Sequence, residues 1–288
     1  MKIVVIVGPT GVGKTKLSIN LAKLFNAVII NGDSMQVYKE LNIGTAKIKE
    51  SEKEGIEHYL FDIKDPVDNY TIYDYQIDGR KMLDKFIKEN RNVIIVGGSG
   101  LYLKALLYDY KFNKEEKINN FDNLTNEEIL SEIKKYHDTN IHINNRKRLV
   151  RELNKIYNNS IIESNINSKL YDFKIIGLTC DRDILYDIVN KRVDLMIQEG
   201  LIDEVKSLYD KGIRSKAILT GIGYKELYMY FDNKISLDEE IELIKKNTRH
   251  FIKRQYTFFN HQMDVTWVNT DFNNFNNTIK EVINYINN

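Results

Sequence analysis

Short β-branched runs bounded by glycine, asparagine or aspartate recur along the chain: Ile3 to Val7, Ala27 to Ile30, Val93 to Val96, Lys174 to Thr179 and Val265 to Val268. Apolar runs of this length, without alternation of apolar and polar positions, mark strands covered on both faces. Helical spacing fills the intervals, as in Leu17, Leu21, Leu24 and Phe25 after the first run. The pattern predicts an α/β fold, a mainly parallel β-sheet flanked by helices.

Residues 113–168 break this rhythm with no strand run and many Asn, Lys and Glu. Thr125-Asn126-Glu127-Glu128 reads as a capping box opening a helix that carries Ile129, Leu130, Ile133 and Tyr136. A second helix places Arg148, Arg151 and Lys155 on one face and Leu149, Leu153 and Ile156 on another, about 130° away. A small helical insertion domain, 113–168, is therefore expected within a catalytic core made of 1–112 and 169–288.

The length of 288 residues suits one domain with a large insertion, or two compact ones. Hydrophobic content of 42% with 29% charged residues excludes wholesale disorder and a membrane bundle. Because 42 Lys+Arg nearly balance 41 Asp+Glu, a nucleic-acid partner has to be met by a locally basic face. One such face is offered by 244–262, which holds Lys245, Lys246, Arg249, Lys253 and Arg254 without an acid; a solvated helix surface explains the run equally well. Cys180 is the only cysteine and reads as packing, and the five histidines fall in no zinc spacing, so a reducing compartment and no structural metal are expected. Ile3 to Val7 is too short for a signal-peptide core, and a cytoplasmic location follows.

Gly8-Pro9-Thr10-Gly11-Val12-Gly13-Lys14-Thr15 follows the first strand run and opens the first helix, the context a P-loop requires. Its glycines let successive amides converge on phosphate oxygens at a helix N-terminus, Lys14 adds a positive charge, and Thr15 offers a magnesium ligand. Phosphoryl-transfer enzymes usually add an aspartate after a second buried strand. Here Val93 to Val96 runs into Gly97-Gly98-Ser99, and the acid is found instead in Asn31-Gly32-Asp33-Ser34, at the carboxyl edge where open α/β sheets bind ligands. Three roles stay open for Asp33: metal ligand, general base, or cap of the next segment.

The P-loop, Asp33-Ser34-Met35-Gln36-Val37-Tyr38 continuing to Asn42-Ile43-Gly44-Thr45-Ala46-Lys47, and Val96-Gly97-Gly98-Ser99-Gly100-Leu101-Tyr102 together resemble the tRNA dimethylallyltransferase family. So do Asp181-Arg182, Leu185-Tyr186, Lys191-Arg192-Val193-Asp194, Gly200-Leu201 and Lys253-Arg254-Gln255, all in the family's order from residue 3 to about 260. The resemblance implies transfer of a dimethylallyl group from dimethylallyl diphosphate to the exocyclic amine of the adenosine 3′ of the anticodon. It implies further that Asp33 is the general base, that Lys14 and Thr15 with magnesium hold the diphosphate, that Arg192 neutralises it, and that Ser99 touches the target base. Segments matching tRNA-contacting parts of the family are Asp33 to Gln36, Lys147-Arg148-Leu149-Val150-Arg151, Thr220-Gly221-Ile222-Gly223-Tyr224-Lys225 and Lys253 to Gln255. The chain departs from the family at Ile143-Asn144-Asn145, where Pro-Asn-Asp is usual, at Ile188 and Thr220, where arginines are common, and at Phe258, where tryptophan is frequent. A monomer is expected. Two other readings keep part of this logic: a transferase acting on free adenine nucleotides, and a P-loop small-molecule kinase, which keeps only the phosphate site.

Overall fold

The computed structural model describes residues 1–112, 119–158 and 167–287. They form two units, one of Met1–Leu107 with Lys169–Asn288 and one of Tyr108–Ser168. In the first, six parallel strands run in the order β3-β2-β4-β1-β5-β6 among the described residues. They are β1 (Ile3–Val7), β2 (Ala27–Asn31), β3 (His58–Tyr59), β4 (Asn92–Val96), β5 (Lys174–Thr179) and β6 (Thr266–Asn269). Every residue of β1 and β2 is buried, and Val5 lies opposite Ile95 on one side and Ile175 on the other. The apolar runs thus become central strands, as double-sided cover requires. The last strand starts one residue later than the apolar run. β3 carries no sequence signal, because His58–Tyr59 has no apolar run and, among the described residues, pairs only with Ile29 and Ile30 of β2.

Helices flank the sheet: α1 (Lys14–Phe25), α2 (Ile72–Lys88), α3 (Gly100–Leu107) and, after the insertion, α6 (Arg182–Gln198), α10 (Leu237–Gln262) and α11 (Phe275–Asn287), while α7 (Leu201–Asp210), α8 (Lys216–Thr220) and α9 (Tyr224–Phe231) pack among themselves and against α6 and α10. On α1, Leu17 and Leu21 enter the core while Leu24 is exposed. Helix α2 starts where Thr71 Oγ1 accepts the Asp74 amide and the Asp74 carboxylate accepts the Thr71 amide, which sets Tyr75 facing the core. Since all strands run the same way, the residues after β1, β2, β4 and β5 emerge together at one edge of the sheet.

The second unit holds α4 (Asn126–Lys134) and α5 (Arg146–Tyr157). Thr125 and Glu128 form the reciprocal cap read from the sequence. Phe121, Ile129, Ile133, Leu149, Leu153 and Ile156 make its own small core, and the Arg146 guanidinium donates to the carbonyls of Phe121 and Leu124 at 2.8 Å each. This unit begins at Tyr108, not at residue 113, and the parts of the expected insertion at 113–118 and 159–166 lie outside the described residues.

Candidate active site

Gly8 leaves β1 with φ +128°, and a Cβ there would stand 2.4 Å from the Leu178 carbonyl oxygen. Only glycine therefore lets the loop 8–15 turn beside β5. Helix α1 opens at Lys14, whose Nζ folds back onto the Pro9 carbonyl oxygen at 2.6 Å. A second close approach joins the ends of β2 and β4: a Cβ on Gly97 would stand 2.1 Å from the Gly32 carbonyl carbon. Main-chain bonds Gly32 N to Val96 O (2.8 Å) and Ser99 N to Gly32 O (3.2 Å) seal the contact. The Ser99 hydroxyl accepts the Ser34 amide at 2.9 Å and donates to the Ser34 hydroxyl at 3.1 Å. Ser99 thus holds the Asp33 loop from below.

These loops bound a cleft of about 660 Å³ into which Thr10, Gly11, Gly13, Lys14 and Thr15 face from one side and Asp33, Gln36, Gly97 and Gly98 from another. Arg192 of α6 and Gln255 of α10 close it. Residues scattered over the sequence are therefore brought together around one cleft, while Ser99 stands behind its wall, bonded to Ser34. Pro9 and Val12 are buried beneath the loop and shape it without facing the ligand space.

The electrostatics of the cleft favour a bound anion near Lys14 and Arg192. Burial, and then the charge of Arg192, push the Lys14 ammonium down to about 8, with Asp33 opposing. Burial raises the Asp33 carboxyl above the usual carboxylate range, opposed by the Met35 amide and by Lys14. Burial also lowers the Arg192 guanidinium, opposed by Glu199 and Glu52, and its buried Nε has no partner. Gln255 donates from Nε2 to the Gly98 carbonyl at 3.0 Å, leaving its buried Oε1 without a partner. Lys14 and Arg192 repel each other across the cleft, and an oxyanion held between them would relieve that repulsion. The Met35 amide bonds Asp33 Oδ1 at 2.8 Å, so the capping role left open for Asp33 is real, yet its carboxyl also lines the cleft. For magnesium, Thr15 supplies one hydroxyl to the cleft, which fits an ion that takes its remaining ligands from phosphate and water.

The residues matched to tRNA contacts divide into outward and inward groups. Lys147, Arg148 and Arg151 are exposed on α5, but Leu149 is fully buried in the insertion's own core, Val150 packs against that core, and Lys155 pairs with Glu152 at 3.1 Å. The side chain of Leu149 is thus a packing residue, not a contact surface. Lys253 and Arg254 are exposed on α10, whereas Lys245 is held by Asp194 of α6 at 2.8 Å and Arg249 donates to Asn190 at 2.6 Å. The acid-free run from 244 is therefore only partly a free basic face. In 220–225, Thr220 is exposed, Ile222 and Lys225 are half-buried, and Gly221, Gly223 and Tyr224 are buried. Gly221 lies against the Met35 methyl, which brings this segment to the Asp33 loop. Tyr224 donates to Glu204 Oε1 at 2.7 Å, and the same carboxylate accepts the amides of Asn42, Ile43 and Gly44 at 3.0, 2.8 and 3.1 Å. That clamp sets the strand of chain reaching Thr45 and Ala46 in the cleft wall.

Sequence reasoning missed Glu204, Asn31 and the cleft residues His58 and Phe61. Of these only Asn31 left a signal, a polar residue closing a run of buried β-branched ones. Among the departures from the family, Ile188 presses a methyl toward Gly11 and Phe258 covers Gly100.

Fold and site define a parallel α/β protein with a glycine loop at a helix N-terminus and a base candidate across the cleft from two cations. The IPP transferase family model matches residues 36–262, and the chain belongs to that family. It is 42% identical to the tRNA dimethylallyltransferase of Anoxybacillus flavithermus over 99% of this chain and 96% of the relative, and 43% identical to that of Bacillus mycoides over 92% and 89%. Among solved structures, the full-length tRNA isopentenylpyrophosphate transferase of Bacillus halodurans superposes with a TM-score of 0.79 at 39% identity, covering 99% of this chain and 95% of that one. A eukaryotic dimethylallyltransferase acting on tRNA superposes with a TM-score of 0.82 at 26% identity, covering 98% and 78%.

Proposed function

We infer that this chain transfers the dimethylallyl group of dimethylallyl diphosphate to the N6 amine of the adenosine 3′-adjacent to the anticodon in tRNA. The observation that carries it is the placement of Asp33 across one cleft from Lys14 and Arg192. The loop amides, Lys14 and Arg192 hold the diphosphate, and their preorganised charge stabilises it as the allylic C–O bond breaks. Asp33 accepts the N6 proton as the N–C bond forms; burial raises its carboxyl and so makes it a stronger base than an exposed carboxylate. Thr15 is the residue that would hold magnesium, which when bound would supply further charge for the leaving group. The target base has to leave its stack to reach the cleft. The exposed Lys147, Arg148 and Arg151, with Lys253 and Arg254, supply phosphate contacts that position the RNA arm. The protein acts as a monomer on this reading.

One incubation tests it: labelled dimethylallyl diphosphate offered separately to tRNA, AMP and ATP. Label is expected in tRNA alone. Label in AMP would move the assignment to free nucleotides, and phosphoryl transfer from ATP without prenyl donor would make the protein a kinase.

A further inference from the structure

The carboxyl end of β2 carries a side chain that the reaction does not use directly yet that determines where Asp33 sits. Asn31 is fully buried. Its Oδ1 accepts the Asp33 amide at 2.9 Å, while its Nδ2 donates to the Asp33 carbonyl at 2.9 Å and to the Leu60 carbonyl at 3.0 Å. Its own carbonyl accepts the hydroxyl of Tyr75, likewise fully buried, at 2.9 Å. Both main-chain polar groups of Asp33 are thus bound by one primary amide anchored to the sheet, to the 58–61 segment and to α2.

We propose that Asn31 is a positioning residue for the proton acceptor Asp33, its carboxamide fixing the backbone from which that carboxylate reaches the cleft. The inference rests on the reading of Asp33 as the base. Only a group with an acceptor and two donors can make all three bonds. An aspartate at position 31 has the same shape and no donor: its oxygens would face two carbonyls, and its charge would stand two residues from Asp33. The charged and titratable groups around Asp33 are Lys14 from α1, Arg192 from α6 and His58 from β3 in the cleft wall, Tyr75 from α2 and Tyr102 from α3; Lys14 and Arg192 are the cations that oppose an added negative charge.

For Asn31→Asp, kcat is expected to fall about 10- to 100-fold, the range produced by sub-ångström to ångström misplacement of a reacting group. KM for tRNA and for the prenyl donor should stay within about twofold, because neither substrate touches Asn31. The acid limb of the kcat profile should move up by about one pH unit, and the ¹³C titration of the Asp33 carboxyl should move with it, since a neighbouring like charge disfavours ionisation. Asn31→Ser keeps an acceptor, adds no charge and serves if the aspartate variant does not fold: kcat should fall with unchanged KM and an unmoved limb. The role is overturned if both variants keep kcat within twofold, or if Asn31→Asp loses kcat with the Asp33 titration unmoved. Asp33→Asn run alongside separates the two failures. Full turnover there removes the base and the positioning role together; lost turnover there with intact Asn31 variants removes only the latter.

Discussion

A lysine buried beside an arginine is unfavourable as a cation, and Lys14 shows the tension in its ammonium, pushed down to about 8. In the unfolded chain it titrates near its ordinary value, so the folded state is penalised below about pH 8 and relieved as pH rises from there toward 10.5. Lys14→Met should therefore raise the melting temperature at pH 7, by about 1–2 kcal/mol in stability, less than the full shift because the cleft admits water. The same change should weaken donor binding and slow turnover at least tenfold; calorimetry and steady-state kinetics read the two halves. In the native enzyme, kcat/KM for the donor should decline above about pH 8 as Lys14 loses its proton. Asp33 acts at the other limb. Its proton-accepting form disappears as pH falls through a value above the usual carboxylate range, so turnover should drop on that side. Asp33→Asn should lower kcat about 10²- to 10⁴-fold and abolish the acid limb while donor binding survives. A variant retaining more than about a tenth of kcat would show that another group takes the proton.

At the scale of elements, α5 and α10 show what amphipathic spacing can and cannot reveal. The division of α5 into an apolar and a basic face was legible, because Leu149, Leu153 and Ile156 recur at helical spacing and are all buried. The run on α10 was over-read, because the partner of Lys245 comes from α6, more than fifty residues earlier, and no local pattern announces it. Replacing Arg148 and Arg151 by Gln should raise KM for tRNA, leave kcat at saturation near its original value, and flatten log K against log salt by roughly 0.7–0.9 per lost phosphate contact. Lys253→Gln with Arg254→Gln should act in the same way. Lys245→Gln should lower thermal stability and leave the salt slope alone, since its charge is already spent on Asp194 and Glu242. Filter binding over a salt series distinguishes them.

For the whole molecule, the central strands and the glycine loop were readable because burial on two faces and phosphate geometry impose local sequence patterns. β3, Asn31 and Glu204 were not, because their roles depend on long-range partners: Ile29 for His58, the Asp33 main chain for Asn31, the 42–44 turn for Glu204. The same holds for a buried carboxyl pair between α9 and α10. Glu240 is fully buried with neither oxygen bonded, and burial together with Glu226 pushes it up to about 8. It binds a proton in the folded state that the unfolded chain releases near 4.5, so stability should fall as pH rises from about 5 to 8. Glu240→Gln should flatten that slope, a difference on the order of 2–4 kcal/mol at pH 8 measurable by denaturant titration at several pH values. The Glu204 clamp has a different consequence. Three consecutive main-chain N–H groups converging on one carboxylate form a nest for a small anion, here filled from within the chain. Glu204→Ala would empty it and free the approach to Thr45 and Ala46, and millimolar formate or acetate should then restore lost turnover by chemical rescue. The enzyme would have become one whose activity is switched on by a carboxylate in the buffer.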